Sequence, residues 1–191
     1  MSKDFTVRRF AFSELNPEAQ QKAIDKTVEW LNIILDADEI TEQLKQEFGQ
    51  IIADGGGNYP SAVEILWDLS YSQGSGVSLQ GYLAKEEAFN MKWPSKAAKI
   101  IFRHESREVH EQSFSVEYLD ADGEEIEGLA GLGFSDQWRD VCNKLKDFGY
   151  KEIEYQTSEE RAREDLAERE ADDGNYVWLK NGTKAPVRGK V

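Results

Sequence analysis

Apolar residues recur at helical spacing through the N-terminal part of the chain. A helix is predicted to begin at Asn16 and Pro17, because a polar cap is followed by a proline whose missing N–H costs nothing at that position. Its apolar stripe consists of Ile24, Val28, Leu31 and Leu35. A second stripe, of Ile40, Leu44, Phe48 and Ile51, predicts another helix over residues 38–53. The glycine-rich run 54–60 ends this helical region.

From residue 63 the hydrophobic pattern takes a period of two, which is typical of strands with one buried face. Residues 63–71 and 77–82 alternate in this way on either side of a glycine-containing turn and predict a hairpin. Residues 99–104 and 110–119 predict a second hairpin, and the segment 84–97 is expected to be a loop or short helix. Five large apolar residues of the second hairpin have even numbers, so pairing even with even places them on one face: Ile100, Phe102, Phe114, Val116 and Tyr118.

The C-terminal part again shows helical spacing. Ser135 is predicted to cap a helix whose apolar side carries Trp138, Cys142 and Leu145, and Gly149 is expected to end it. The pattern then predicts a short edge strand over residues 150–155, a charged helix over 157–173, a last strand or apolar anchor over 176–179 and a mobile basic tail over 184–191.

These elements predict an α+β fold. It consists of two N-terminal helices, an antiparallel sheet built from two β-hairpins, and C-terminal helices with an acidic arm. The expected division is a core domain of residues 1–156, to which residues 157–191 are attached.

Composition excludes several classes of protein. The chain has 191 residues, and 37 acidic against 23 basic residues give a formal net charge of −14. Binding to nucleic acid or to an anionic membrane needs a basic face, so neither is expected. A hydrophobic fraction of 39% with 11% aromatic residues predicts a folded chain rather than a disordered acidic one. No apolar run is long enough for a signal peptide or a membrane span, which predicts a cytoplasmic protein.

Two segments hold most of the negative charge. Residues 105–140 contain eleven acidic and two basic residues, and residues 152–173 contain ten acidic and three basic residues. A dense acidic face can compete for a basic, nucleic-acid-binding surface, whereas the alternative is that it only confers solubility. The arginines of the second segment support that alternative, because they can pair with acids on their own helix. The candidate partner-binding residues are Glu117, Asp120, Asp122, Glu124, Glu125, Glu127, Glu159, Glu160, Glu164, Asp165 and Glu168.

The turn of the first hairpin, Ser72-Gln73-Gly74-Ser75-Gly76, is the most specific local feature. Its glycines can adopt positive φ, and its polar side chains could hold an anion or small polar ligand, or simply form a well-made turn. His104 and His110 share the even parity of their hairpin and are predicted to pair. Two hydrogen-bonded histidines are favoured over a metal site, because a third ligand would have to be a carboxylate.

Catalytic motifs are absent from the sequence. Cys142 is the single cysteine and is interpreted as a small buried hydrophobe. No nucleophile elbow, HExxH motif or dinucleotide fingerprint occurs. The sequence therefore predicts no enzyme, no catalytic residue and no cofactor.

Four motifs occur in order along the chain. They are Phe12-Ser13-Glu14-Leu15, the stretch from Leu66-Trp67-Asp68 to Gly76-Val77, the pairs Arg103-His104 and His110-Glu111, and Tyr155-Gln156-Thr157-Ser158-Glu159-Glu160. In these motifs the chain resembles a largely uncharacterised family of small phage-encoded and prophage-encoded proteins. Ser75 stands where that family commonly has Asp, and residues 77–79 read Val-Ser-Leu where Ala-Ser-Phe is common.

The resemblance implies a phage accessory protein, similar to anti-CRISPR and anti-restriction inhibitors. Together with the charge distribution it predicts a non-enzymatic inhibitor that binds the basic surface of a host protein or ribonucleoprotein complex in the host cytoplasm. The alternative is a protein that binds a small ligand or nucleotide signal through the turn 72–76 and the two histidines. A homodimer is left open.

Overall fold

The computed structural model describes residues 10–52, 60–70, 72, 74–87, 91–129, 134–173 and 178–185. The chain divides into two compact units. The sheet unit comprises Asp36–Glu152, and the helical unit comprises Met1–Leu35 together with Ile153–Val191. This division differs from the predicted one of residues 1–156 and 157–191, because the first helix shares a hydrophobic core with the last helix.

The sheet unit contains a four-stranded antiparallel sheet in the order β1-β2-β3-β4. The strands are β1 (Val63–Asp68), β2 (Gly76–Ala84), β3 (Lys99–His104) and β4 (Phe114–Leu119). A short 3-10 turn, Lys85–Glu87, follows β2. The α+β class and the sheet of two hairpins are thus confirmed.

The buried face of the sheet follows the predicted parity. Ile100 lies opposite Tyr118 and Phe102 lies opposite Val116, so β3 and β4 pair even with even. Ile100, Phe102 and Tyr118 are almost completely buried. Burial raises the pKa of Tyr118 to about 12, because the phenolate would lose its hydration there.

Helices α2 (Ala37–Ile52) and α3 (Phe134–Gln156) contribute to the core of the sheet unit, α3 through its residues up to Glu152. The indole Nε1 of Trp67 on β1 donates to Thr41 Oγ1 on α2 at 2.9 Å. The rings of Phe102 and Trp138 meet edge to face, with centroids 5.0 Å apart. The predicted stripes are confirmed by the burial of Ile40, Leu44 and Phe48 on α2 and of Trp138, Cys142 and Leu145 on α3, except that Ile52 is buried in place of Ile51.

Helix α3 does not end at Gly149 but continues to Gln156, so the predicted edge strand over 150–155 is wrong. Gly149 is buried, and a Cβ there would lie 2.5 Å from Leu69 Cδ1 and 3.3 Å from Leu44 Cδ2. The glycine therefore permits close packing of the helix rather than terminating it. The side chain of Ser135, the predicted cap, lies outside the described residues, and the helix begins one residue earlier.

The helical unit is built around α1 (Pro17–Ile33) and α4 (Glu159–Asp173), with a 3-10 turn at Phe12–Glu14. The predicted cap of α1 is confirmed, since Asn16 Oδ1 accepts from the Ala19 N–H at 2.9 Å. The shared core consists of Leu15, Ala19, Ala23, Ile24, Leu31, Ala162, Leu166 and Trp178. Although α4 is highly charged, its Ala162 and Leu166 are buried in this core.

The predicted C-terminal anchor is described only from Trp178 onward. Trp178 exchanges two backbone hydrogen bonds with Phe10, of 3.0 and 2.9 Å, and is 4% exposed. Residues 176–177 and 130–133, and the tail beyond Ala185, lie outside the described residues. In the described ranges, no helix combines the length and apolar character needed to cross a membrane.

Strand β2 changes its neighbour at Gly81. Residues 76–81 pair with β1, whereas residues 81–84 pair with β3. Gly81 has a φ of +108°, and a Cβ at this position would overlap the carbonyl oxygen of Ala62. Because any other residue would combine backbone strain with a backbone clash, glycine is required for this bend.

We expect Gly81→Ala to destabilise the protein by more than about 3 kcal/mol, through a positive φ and a clash with an immobile backbone atom. The matched control is Gly123→Ala, where φ is +85° but nothing lies within 4 Å of the added Cβ. Strain alone predicts a loss of about 1 kcal/mol for the control. Urea unfolding followed by circular dichroism measures both, and equal losses would show that the contact with Ala62 is unimportant.

Candidate functional site

The turn of the first hairpin is closed by hydrogen bonds within itself. The Ser75 N–H and Oγ both donate to the Ser72 carbonyl oxygen, at 3.1 and 2.8 Å, and the Ser70 N–H donates to Asp68 Oδ1 at 3.0 Å. Gly74 has the predicted positive φ, of +91°, whereas Gly76 does not. Gln73 lies outside the described residues. Several polar groups of the turn therefore already form hydrogen bonds with one another.

The glycines of this turn allow a second loop to approach it. A Cβ on Gly74 would lie 3.0 Å from Glu108 Cδ, and a Cβ on Gly76 would lie 3.1 Å from the Cα of His110. The loop 105–113 connects β3 to β4, so the two hairpins meet at this end of the sheet. The sequence-predicted turn and the neighbourhood of the histidines are thereby brought together.

The predicted pairing of His104 with His110 is wrong. His104 lies opposite Phe114 in the sheet, because the connection between the strands is longer than five residues. His104 Nδ1 is 2.9 Å from the hydroxyl oxygen of Ser78, a fully buried residue on β2. The backbones of β2 and β3 no longer pair at this point, so the side chains of Ser78 and His104 join the two strands there.

His110 has different partners. Its Nδ1 accepts from the Gln112 N–H at 3.1 Å, which places the proton of the neutral ring on Nε2. Nε2 faces Glu108 Oε2 at 3.6 Å. Within the described part of the chain, no group of three or more His, Cys, Asp or Glu side chains is placed to hold a metal ion.

An open, shallow cleft of about 540 Å³ lies beside His104 and was not predicted from the sequence. Its side-chain lining includes Gln80, Tyr82, Lys99, Ile101, Arg103 and Glu105. The Lys99 ammonium lies 3.7 Å from the centre of the Tyr82 ring, a cation–π contact. The sequence did contain a signal for this cleft. The odd-numbered residues of β3 alternate with its buried residues and therefore face away from the core.

Arg103 is anchored within this cleft by Glu117 on β4. Its Nε and Nη2 donate to the two carboxylate oxygens of Glu117 at 2.6 and 3.0 Å, a bidentate pair. The hydrogen bond from Arg103 holds the pKa of Glu117 below its ordinary value and raises the pKa of Arg103. Glu117 is therefore a positioning partner of Arg103 rather than a free acid.

The remaining candidate partner-binding acids of the first segment lie in residues 120–127, which we call the acidic turn. Asp120 Oδ1 accepts from the N–H groups of Asp122 and Glu124, at 2.9 and 3.0 Å, and so fixes the backbone. The Ile126 N–H donates to the Tyr118 carbonyl oxygen at 2.8 Å. The exposed residues of the turn include Asp122, Glu124, Glu125 and Glu127. None of these four forms an ion pair among the residues that the structure describes.

The acids of α4 are largely paired on their own helix. Arg169 Nε lies 2.7 Å from Asp165 Oδ2, and Arg163 lies 3.3 Å from Glu159. Arg161 lies 3.7 Å from Glu164 and 3.8 Å from Glu168. The Tyr155 hydroxyl also donates to Glu164 Oε2 at 2.6 Å, which raises the pKa of Tyr155. Glu160 is exposed and has no ion pair among the described residues.

Cys142 is completely buried in the sheet unit, as its apolar neighbours predicted. Burial raises the pKa of its thiol far above the ordinary value, and the nearby charge of Glu111 adds to the effect. Because the thiolate is the nucleophilic form, this residue is chemically inert in the folded protein.

The chain was compared with protein-family models, with curated proteins and with solved structures, and none of the three comparisons gave a match.

We expect Arg103→Gln to raise the pKa of Glu117 towards its ordinary value, because the donor that favours the carboxylate is removed. A depressed folded-state pKa stabilises the fold above the unfolded-state pKa, and this stabilisation is lost as the pH falls through the folded-state value. The variant should therefore be less stable than the parent at neutral pH, with the difference vanishing in acid. Carboxyl ¹³C NMR titration measures the pKa. Arg139→Gln, which removes an exposed pair with Asp136, should leave Glu117 unchanged.

Proposed function

We propose that the protein is a non-enzymatic phage accessory protein that binds the basic surface of a host nucleic-acid-binding complex and inhibits it. The observation that carries this proposal is the acidic turn. It presents four exposed carboxylates on a backbone fixed by hydrogen bonds, with no ion pair to them among the described residues. The phage setting comes from the motif resemblance given above.

The fixed backbone matters because a binding surface must display its charges before the partner arrives. Carboxylates held by a preorganised turn lose less conformational freedom on binding than the same groups on a flexible chain. Their charge also steers a basic partner at long range and repels nucleic acid, which makes the surface a competitor for a phosphate-binding groove. The proposal therefore places the main contact at the acidic turn.

Helix α4 has a secondary role in this proposal. Its exposed carboxylates include Glu159, Glu160, Glu164 and Glu168, but three arginines already lie beside the acids of this helix. A partner would have to compete with these pairs, so each acid of α4 contributes less to binding than an acid of the turn. Glu160 is the acid of α4 best suited to a direct contact.

The test is affinity capture from host-cell lysate with the full-length protein, followed by washes of increasing salt. We expect one nucleic-acid-binding complex to be retained, and to be released by high salt and by its own DNA or RNA. Neutralising the acidic turn with Asp122→Asn, Glu124→Gln, Glu125→Gln and Glu127→Gln should weaken binding about 30-fold, at about 0.5 kcal/mol for each charge.

The matched control changes the same amount of charge on α4, with Glu159→Gln, Glu160→Gln, Glu164→Gln and Glu168→Gln. We expect a much smaller loss from this variant, because most of these acids have arginine partners. Equal losses from the two variants would mean that only net charge matters. If nothing is retained at low salt, the inhibitor proposal fails.

A second candidate function is supported by the cleft beside His104. This open, shallow cleft of about 540 Å³ combines the Tyr82 ring with the Lys99 ammonium and with Arg103, whose charge is balanced by Glu117. The turn 72–76 is internally hydrogen bonded, so the ligand of this alternative would contact the cleft more than the turn. The alternative is therefore a protein that binds a small ligand or a nucleotide signal at this cleft.

A thermal-shift screen with a nucleotide panel tests this alternative. A ligand at 100 times its dissociation constant should add about 2.7 kcal/mol of stability. Tyr82→Ala should abolish the shift, whereas Tyr155→Ala, which removes an exposed tyrosine from the helical unit, should preserve it. A shift that survives Tyr82→Ala would place the ligand elsewhere.

A further inference from the structure

Residues 178–184 of the helical unit form a tight turn, which we call the closing turn. The Gly182 N–H donates to the Leu179 carbonyl oxygen at 2.9 Å, and the Leu179 N–H donates to the Thr183 carbonyl oxygen at 2.8 Å. Gly182 has a φ of +74°, as the last residue of a three-residue hairpin loop requires. It is buried, and an added Cβ would overlap the Ala19 carbonyl oxygen of α1. The turn is therefore closed by its own backbone and lies against α1.

The loop of the closing turn contains Asn181-Gly182, a pair that occurs once in the sequence. Asparagine deamidates fastest when glycine follows it, because glycine has no Cβ to hinder attack by its backbone nitrogen on the preceding side-chain amide. Every other asparagine of the chain precedes a bulkier residue. Asn181 is also exposed, so water has access to its side chain. Its amide is therefore expected to be the most reactive one in the unfolded chain.

The closed turn restrains both reacting groups. The nucleophile is the Gly182 nitrogen after loss of its proton, and in the closed turn this proton is donated to the Leu179 carbonyl oxygen. The electrophile is Cγ of Asn181, whose Oδ1 accepts the Thr183 N–H at 3.1 Å and so fixes the orientation of the amide. Because attack requires these bonds to break, the rate depends on how often the turn opens.

We propose that Asn181 is a site of spontaneous deamidation that is protected while the closing turn is formed and reacts when this turn opens. The Gly182 nitrogen bonds to Asn181 Cγ, the Cγ–Nδ2 bond breaks, and ammonia leaves with the proton from Gly182. The cyclic imide that results joins the Gly182 nitrogen to both carbonyl carbons of residue 181. Water, the co-reactant, then cleaves one of these two bonds. Cleavage at Cγ gives aspartate, and cleavage at the main-chain carbonyl carbon gives isoaspartate.

The two products have different effects on the turn. An aspartate oxygen can still accept the Thr183 N–H, so this product keeps the turn closed. In isoaspartate the main chain runs through Cβ and Cγ, and the extra atom lies within the loop that the bonds of Leu179 close. The turn then cannot form again in the same register, and Trp178, which is 4% exposed, loses its support. Isoaspartate therefore makes the opening of this end of the helical unit irreversible, and this reaction depends on neither proposed function.

The test follows deamidation of the full chain at mildly alkaline pH, in native buffer and in guanidinium chloride. Peptide mapping by mass spectrometry locates the mass change, and isomerisation of the Asp-Gly pairs gives none. In denaturant we expect Asn181 to react faster than any other asparagine. In native buffer its rate should fall about tenfold or more, because the open turn is a minor population. Equal rates in the two conditions, or a faster asparagine elsewhere, would overturn the proposal.

Hydrogen exchange of the Gly182 N–H measures the opening of the same turn in the unmodified protein. The slowing of deamidation should equal the exchange protection of this N–H and be smaller than the protection of the β3 amides. Trp178→Ala should raise the native rate towards the denatured one, whereas Leu145→Ala, at a buried position of the sheet unit, should not. Equal acceleration by both variants, or slowing as large as the protection of β3, would mean that only global unfolding exposes the site.

The consequence of the reaction is tested on its products. Asn181→Asp reproduces the aspartate product and should keep the exchange protection of the Phe10 N–H, which donates to the Trp178 carbonyl oxygen at 3.0 Å. The isoaspartate form, separated from aged protein by chromatography, should lose this protection about tenfold or more. Equal protection in the two forms would show that the longer main chain is accommodated and that opening stays reversible.

Discussion

The architecture of the sheet unit depends on the left-handed backbone of Gly81. Because this residue bends β2 where a Cβ would overlap the Ala62 carbonyl, one strand can pair with β1 along its first part and with β3 along its last part. The pairing of β2 with β3 stops at Phe102, although β3 continues to His104. The contact between Ser78 and His104 and the cleft beside it both occur where that pairing stops, so they are consequences of the same bend.

The elements that could be predicted from the sequence are those with local causes. Both hairpins were predictable from the alternation of apolar and polar residues, and the start of α1 was predictable from the cap at Asn16. Each of these signals lies within a few residues of the structure that it determines. Gly149 was misinterpreted as a helix end, since its cause is a distant side chain, that of Leu69. The partnership of α1 with α4 was missed for the same reason, because residues far apart in the chain form that core.

The candidate site was predictable only in part. The turn 72–76 and the positive φ of Gly74 followed from residue type, but the partners of the two histidines depended on the length of the loop between β3 and β4.

The two acidic segments have similar composition but differ in whether their acids form ion pairs. In α4 the arginines stand three and four residues from acids and pair with them, whereas the acidic turn contains no basic residue. Spacing, rather than the number of charges, distinguishes the two.

Net charge is also a poor guide to the local potential of this protein. At physiological ionic strength charges are screened over about 8 Å, so a group responds mainly to its immediate neighbours. The acidic turn lies in the sheet unit, and Lys26, Lys184 and the pair of Asp165 with Arg169 lie in the helical unit. The local arrangement of ion pairs, rather than the net charge of −14, therefore decides which acids are available to a partner.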